Sequence, residues 1–488
     1  MLCRGNFLSS FILVALLAVG LGGCAKNPVT GKEQISLISE GQEVSMGRQA
    51  DREVLAQYGA VDNPSLQEYF KDVGQQIARI SDRPDLPWRF TVVDDPVVNA
   101  FALPGGFVYF ARGILPYMNN EAEMAGVLGH EIGHVAARHA VSQASKAQLF
   151  NLGLGLGSVL SPTFRQFGGL AQTGVGLLFL KYSRNDETQA DRLGVRYMQR
   201  AGYDPRELSD FFTVFQRLSE QSRTSMPTWL STHPAPPDRV QKTHELAEGL
   251  VAEAGNPAAL RIGRDDFLRK IDGMVFGENP REGFTRDGHF YHPDLRFQMR
   301  YPSEWQVSNL RSMVTFVTTS GEAGIQLTLA PPETASARAR AEQVAQQPGV
   351  RMEGGKAERI NGLSSYLAQY RITDQSGQVI EALAGFISKQ SQVFEIVGMA
   401  PPSVFRRYSG QLAEVIRSFA PLTDAKILGV QPDRLDLYRI RRGGTISDVA
   451  RLFPNPRIEA EKLALLNRVG IDEDLGAGTT VKIIRPGR

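Results

Sequence analysis

The spacing of apolar and polar positions changes period along the chain, and those changes predict its elements. In "EGQEVSMGRQADREVLAQYG", residues 40–59, the spacing is helical and closes at Gly59. In "SLQEYFKDVGQQIARI", residues 65–80, Leu66, Phe70, Val73 and Ile77 share one face of a second amphipathic helix. "RFTVVDD", residues 89–95, reads as a strand. "NAFALPGGFVYFARGIL", residues 99–115, reads as two β segments around the turn Pro104-Gly105-Gly106. Residues 119–148 predict one long helix, with Asn120 as its cap and Glu123 where a capping-box partner belongs. The glycine-rich apolar stretch 149–180 is broken by Pro162, Arg165 and Gln166, so neither half reaches the roughly 20 residues of a membrane span. It predicts a helical hairpin over the core, with a lid or membrane-touching role as the alternative. Another helix is predicted over 183–205, with cap candidates Ser183 and Asn185 and a stop at Gly202.

From about residue 286 the period becomes two. Strands are predicted at 295–305, 313–320, 324–332, 364–374, 378–389 and 392–400, with helices at 337–347 and 405–419. That is an α+β pattern. The tail reads strand, helix, helix, strand. The resulting division is a leader at 1–23, a tether at 24–42, a mainly helical domain at 43–252, a linker at 253–285, an α+β domain at 286–422 and a small βααβ unit at 428–488. A chain of 488 residues fits this multidomain reading.

Composition narrows the function classes. The formal net charge is +2 and no dense basic stripe is present, which argues against nucleic acid as a partner. Arg4 and the apolar "FILVALLAVG" read as an export signal. "LGGC", Leu21 to Cys24, resembles the lipobox of bacterial lipoproteins, which implies lipidation of Cys24. The alternative is an ordinary signal peptide. The chain's cysteines are Cys3 and Cys24, so the processed chain is expected to hold no internal disulfide. Ala25, rather than aspartate, follows the cysteine. The resemblance therefore implies the periplasmic face of the outer membrane.

The chemistry sits in "GHEIGHVAARH", residues 129–139. Histidines four apart on a helix project from one face, one turn apart, so His130 and His134 can reach one ion. Glu131 flanks that face, placed to take a proton from an attacking water and return it to a leaving amine. Zinc suits imidazole-plus-carboxylate sites. If the helix continues, His139 lies about 180° from His130, and it is rejected as a ligand. "RNDETQAD" offers Glu187 and Asp191 on one face of a second helix. Glu187 completes a two-histidine, one-carboxylate set, and Asp191 can accept a hydrogen bond from a ligand histidine.

Together, H-E-I-G-H at 130–134, S-R-N-D-E-T-Q-A-D at 183–191 and H-P-A-P-P-D-R at 233–239 resemble the gluzincin zinc metallopeptidases, the family of HtpX, the CAAX prenyl protease and BepA. Residues 27–49 and 99–115 are similar to its periplasmic branch, and the resemblance covers roughly residues 25–250. It departs from BepA in the tail, where no helical repeat is seen. The resemblance implies a mainly α zincin-type peptidase domain with a small β-sheet, and one zinc ion per chain. It implies that His233 lies near the metal, as an oxyanion donor or a fourth ligand. It also implies that Arg239 contacts the acidic residues or the oxyanion, and that Asn99, Ala100 and Phe101 form the edge strand on which substrate is laid. Misfolded or stalled envelope proteins are the implied substrates. Gly444-Thr445-Ile446 with Leu466-Asn467 resemble a LysM signature, although Gly444 stands where an aspartate is common. That resemblance implies peptidoglycan binding through residues 436–485, and the α+β unit faintly resembles the PsbP-like sandwich. The competing readings are a lipid-anchored holdase with a latched zinc site and a peptidoglycan-processing metalloenzyme.

Overall fold

The structure is a computed structural model that describes residues 24–154, 182–221, 229, 233, 237–374 and 377–487. The expected leader and most of the expected helical hairpin at 149–180 lie outside the described residues. No described helix is long and apolar enough to cross a membrane. The chain forms two compact units. The first comprises Met1–Leu55, Gly59–Phe276 and Leu435–Arg485, and the second Ala56–Tyr58, Gly277–Arg434 and Pro486–Arg488.

The first unit opens with a correction. The expected tether is paired backbone: β1 (Cys24–Lys26) runs antiparallel to β2 (Glu33–Ile35). Asn27 Oδ1 accepts from the amides of Val29 and Thr30, which closes the turn between them. α1 (Glu40–Tyr58) starts with a capping box between Ser39 and Gln42. α2 (Pro64–Ala78) buries Leu66, Phe70, Val73 and Ile77, the face its periodicity predicts. β3 (Arg89–Val93), β4 (Ala100–Leu103) and β5 (Phe107–Ala111) form a sheet of order β3-β5-β4, with β3 parallel and β4 antiparallel to β5. Phe70 packs on Phe110, ring centroids 4.7 Å apart, which seats α2 on this sheet.

The long helix expected over 119–148 is two helices. α3 (Glu121–Ala136) ends, Arg138 takes a left-handed φ of 57°, and α4 (His139–Leu154) begins in a new direction. α5 (Arg184–Arg200) starts at Ser183 in a capping box with Asp186 and ends before Gly202. α6 (Arg206–Gln221) and α7 (Pro237–Ala254) follow. The expected linker is corrected too. α8 (Arg264–Ile271) buries Phe267, Leu268 and Ile271 in the first unit's core.

In the second unit, the described strands are β6 (Phe284–Arg286), β7 (His289–His292), β8 (Phe297–Arg300), β9 (Gln306–Leu310), β10 (Met313–Val317), β11 (Gly324–Leu329), β12 (Val350–Ile360), β13 (Leu363–Thr373), β14 (Val379–Lys389), β15 (Gln392–Ala400) and β16 (Ala420–Pro421). Among the described residues, a seven-stranded sheet has the order β12-β13-β14-β15-β11-β10-β9 and a four-stranded one the order β16-β8-β7-β6. α9 (Ala337–Val344) packs over an apolar cluster that includes Tyr370 and Phe386. α10 (Pro402–Arg417) packs with a separate cluster around Phe394 and Phe297.

β17 (Arg434–Arg439), α11 (Ile446–Leu452), α12 (Ala460–Asn467) and β18 (Thr480–Arg485) follow, with β17 beside β18. This tail was expected to stand alone, yet it belongs to the first unit. Lys482, fully buried, donates from Nζ to the carbonyls of Pro116 and Met118, 2.7 Å each. Arg468 pairs with Glu123 in the first turn of α3.

Candidate metal centre

Helix α3 carries His130, Glu131 and His134, all buried, and α5 brings Glu187 and Asp191 against it. The approach depends on missing side chains. A Cβ on Gly194 of α5 would lie 3.0 Å from the backbone nitrogen of His130, and one on Gly129 3.1 Å from Gly194 Cα. Gly133 meets Leu193 and Ala190 equally closely. Glycine inside a helix costs about 1 kcal/mol relative to alanine. Here it lets the two backbones come close enough for Glu187 to reach the histidines.

The donor atoms converge. His130 Nε2 lies 3.0 Å from His134 Nε2 and 3.4 Å from His233 Nδ1. Glu187 Oε1 lies 3.0 Å from His233 Nδ1 and 3.4 Å from His134 Nε2. Ligand atoms of His130, His134, Glu187 and His233 all fall within 4.8 Å of one another. The buried carboxylate oxygen Glu131 Oε1 accepts no hydrogen bond. An unsatisfied buried oxygen is costly, and a cation beside it relieves that cost. Three imidazoles and a carboxylate are a donor set that suits zinc. The residues present therefore fit a metal ion.

Around this cluster the charges are ordered. His130 Nδ1 donates toward Asp191 Oδ1 at 2.9 Å, which leaves Nε2 facing the cluster. Arg239 holds Asp191 through Nε at 2.5 Å and Nη2 at 2.7 Å, and reaches Glu187 Oε2 through Nη1 at 2.8 Å. Its guanidinium lies over Phe212, 4.8 Å from the ring centroid. Burial alone would raise Asp191, but Arg239 and the hydrogen bond from His130 outweigh it and hold the carboxyl at about 2. Burial likewise works against ionised Glu187, yet His233 and Arg239 bring it below the usual carboxylate range. Burial lowers His134 far below its ordinary value, and the neighbouring His130, His139 and His233 push the same way. His233 moves the other way: Glu187 and Glu131 overcome its burial and raise it. Trp229 stacks on the His233 ring at 5.0 Å and 21°.

His139 is placed unexpectedly. It is not among the four residues of the converging donor set, and the continuous helix from which it was judged does not form. The left-handed turn at Arg138 swings His139 back, and its Nδ1 lies 2.9 Å from His134 Nδ1. A left-handed non-glycine residue costs roughly 1–2 kcal/mol. Arg138 is held there by Nε to Glu43 Oε2 at 2.9 Å and Nη2 to the Ile38 carbonyl at 2.7 Å. Asn27 Nδ2 also bonds the Ala137 carbonyl at 3.2 Å. These partners lie about 100 residues away, so no local pattern announces the bend. Gln189, Tyr182 and Trp229 were missed as well: Gln189 sits inside the 183–191 motif but was given no role there, and Tyr182 and Trp229 belong to no quoted motif.

Asn99, Ala100 and Phe101 are not members of the donor cluster and lie on and just before β4. That strand has β5 on one side and is the edge of its described sheet.

A model described as "Peptidase family M48" matches residues 64–247. The mitochondrial metalloendopeptidase OMA1 of Saccharomyces cerevisiae is 30% identical over 256 residues, 46% of this chain and 72% of that protein. The chain belongs to peptidase family M48. The beta-barrel assembly-enhancing protease of Escherichia coli K12 is 28% identical over 271 residues, 53% of this chain and 54% of that protein. The chain thus spans about half the length of that relative. Cyanobacterial PsbP from Synechocystis matches over 27% of this chain and 91% of that one at 13% identity. Its TM-score of 0.23 carries no argument. Membership of this family implies a metal ion at the cluster just described.

Proposed function

We propose that the chain is a zinc-dependent metalloendopeptidase in which His130, His134 and Glu187 hold one zinc ion and Glu131 is the general base. The observation that carries this reading is the convergence of three imidazoles and a carboxylate from three separate segments around one point, with the Glu131 carboxylate beside it. Bound zinc supplies Lewis acidity toward a peptide carbonyl and an attacking water. The chain's own groups do the rest. Glu131 Oε1, free of hydrogen bonds, accepts the water's proton and passes it to the leaving amine. His233, its Nε2 3.6 Å from Glu131 Oε1, donates to the developing oxyanion. Asp191 orients His130, and Arg239 anchors Asp191 and Glu187. Substrate enters as an extended strand along β4, at Asn99, Ala100 and Phe101, where edge-strand pairing supplies main-chain hydrogen bonds.

Lipidation at Cys24 would tether the enzyme to the periplasmic face of the outer membrane, with misfolded or stalled envelope proteins as substrates. Residues 436–485, if LysM-like, would add peptidoglycan contact. A second reading is favoured by the nearness of His233 Nδ1 to Glu187 and His130: His233 latches the resting metal as a fourth ligand. Glu131→Gln tests the main reading. Cleavage of an unfolded protein should fall roughly 100- to 10,000-fold while one zinc per chain is retained; unchanged cleavage would sink the assignment of the base. His233→Ala separates the two roles of His233, since a latch predicts faster cleavage and an oxyanion donor slower.

A further inference from the structure

The contact between His134 and His139 goes beyond the donor set, and its proton bookkeeping is determinate. On the proposed reading, His134 binds metal through Nε2, whose lone pair must be free. Its ring proton then sits on Nδ1 and points at His139 Nδ1, 2.9 Å away. His139 Nδ1 must accept, so its own proton sits on Nε2. That nitrogen faces Gln189 Oε1 at 3.1 Å, with Asp186 Oδ1 at 3.7 Å on the same side. Both neighbours are acceptors, which is what a protonated Nε2 requires. The opposite arrangement would turn the Gln189 amide, put the proton of His139 on Nδ1, and force a proton onto His134 Nε2. A ligand nitrogen cannot carry that proton.

We infer that His139 is a positioning residue for the metal centre: with Gln189 it forms a relay that keeps the Nε2 lone pair of His134 aimed at the ion. The geometry around it serves this task. His139 and Gln189 lie on different helices, α4 and α5, and His139 reaches His134 because the chain reverses hand at Arg138. Tyr182 stacks on the His134 ring at 4.1 Å and 29°, which leaves the ring one plane in which to meet both His139 and the donor cluster. His130 is served by a carboxylate, Asp191, whereas His134 is served by a neutral ring. The two ligand histidines are thus held by partners of different charge.

The inference rests on the metal reading, and zinc affinity of the purified protein tests the two apart. His139→Ala should weaken zinc roughly 10- to 100-fold, the usual loss when a ligand histidine loses its partner. It should also shift the visible bands of the cobalt(II)-substituted protein. His139→Asn presents an acceptor oxygen near the place of Nδ1 and should return both readouts close to wild type. Gln189→Leu should weaken zinc in the same direction and by less. Wild-type zinc affinity and cobalt spectrum in His139→Ala would overturn the inference, as would a His139→Asn protein as impaired as His139→Ala. If His139→Ala does not fold, Gln189→Leu and His139→Asn decide it by the same criteria. A wild-type protein that binds no zinc overturns the metal reading and this inference with it.

Discussion

Both units bury an apolar core, and they differ in how much charge they bury with it. The second encloses Phe290, Phe297, Phe316, Phe394, Ile396 and Phe419, with Glu395 and Lys389 among its few buried charges. The first buries Glu43, Arg83, Arg138, Glu121, Glu123, Glu131, Glu187, Asp191, Arg239 and Lys482, besides His130, His134, His139 and His233. Taking an ion out of water costs several kcal/mol, and partners offset that only when the geometry is good. The first unit meets this condition by sharing. Glu43 serves both Arg83 and Arg138, and Arg239 serves both Asp191 and Glu187. The second unit is held by packing, whereas the first also spends stability on holding groups where chemistry needs them.

Four substitutions would sharpen or break that contrast, from the largest expected effect to the smallest. Glu131→Gln should lower turnover roughly 100- to 10,000-fold, measured on an unfolded protein substrate, and leave unfolding of the apo-protein nearly unchanged. A large fall in stability instead would make Glu131 structural. In the second unit, Phe394→Ala should cost about 3–5 kcal/mol in denaturant unfolding and leave zinc affinity untouched. Weakened zinc there would show the units to be coupled. Lys482→Met should remove a pH dependence. Burial holds the Lys482 ammonium well below its ordinary range, with Arg264 and Arg468 adding to the effect. The unfolded chain then binds more protons than the folded one between that lowered value and the ordinary 10.5 of a lysine, so stability rises with pH across that window. The slope is at most about 1.4 kcal/mol per pH unit. Wild-type protein with a flat profile there would show Lys482 to be charged when folded. Smallest, Arg371→Ala removes a half-exposed pair with Glu381 and should change stability by about 0.5 kcal/mol or less.

Local signals were legible where the physics is local. His130 and His134 share a face because four residues make one helical turn. Ser183 caps α5 and Asn120 caps α3, as their residue types and positions suggested. The strand β12 was missed although a signal was present: Asn361-Gly362, both at positive φ, join Ile360 to Leu363 in a two-residue hairpin turn. Its apolar residues are sparse because it is an edge strand, mostly exposed, with Gly354 and Gly355 at its centre. The βααβ tail was read in the right order but as a separate body. Its attachment depends on Lys482 and Arg468, two cations that look like surface residues until their partners are known.

The sequence by itself determined the motif, the helices that carry it and the residue types offered to a metal, because each follows from neighbours within a turn or two. Only the tertiary structure decided that α3 stops at Ala136, that Glu187 and His233 meet it, and that His139 turns back onto His134. Those outcomes rest on Glu43, Ile38, Asn27 and Gly194, residues tens of positions distant, whose influence reaches the site only through a packed, low-dielectric interior where each buried charge must find its partner.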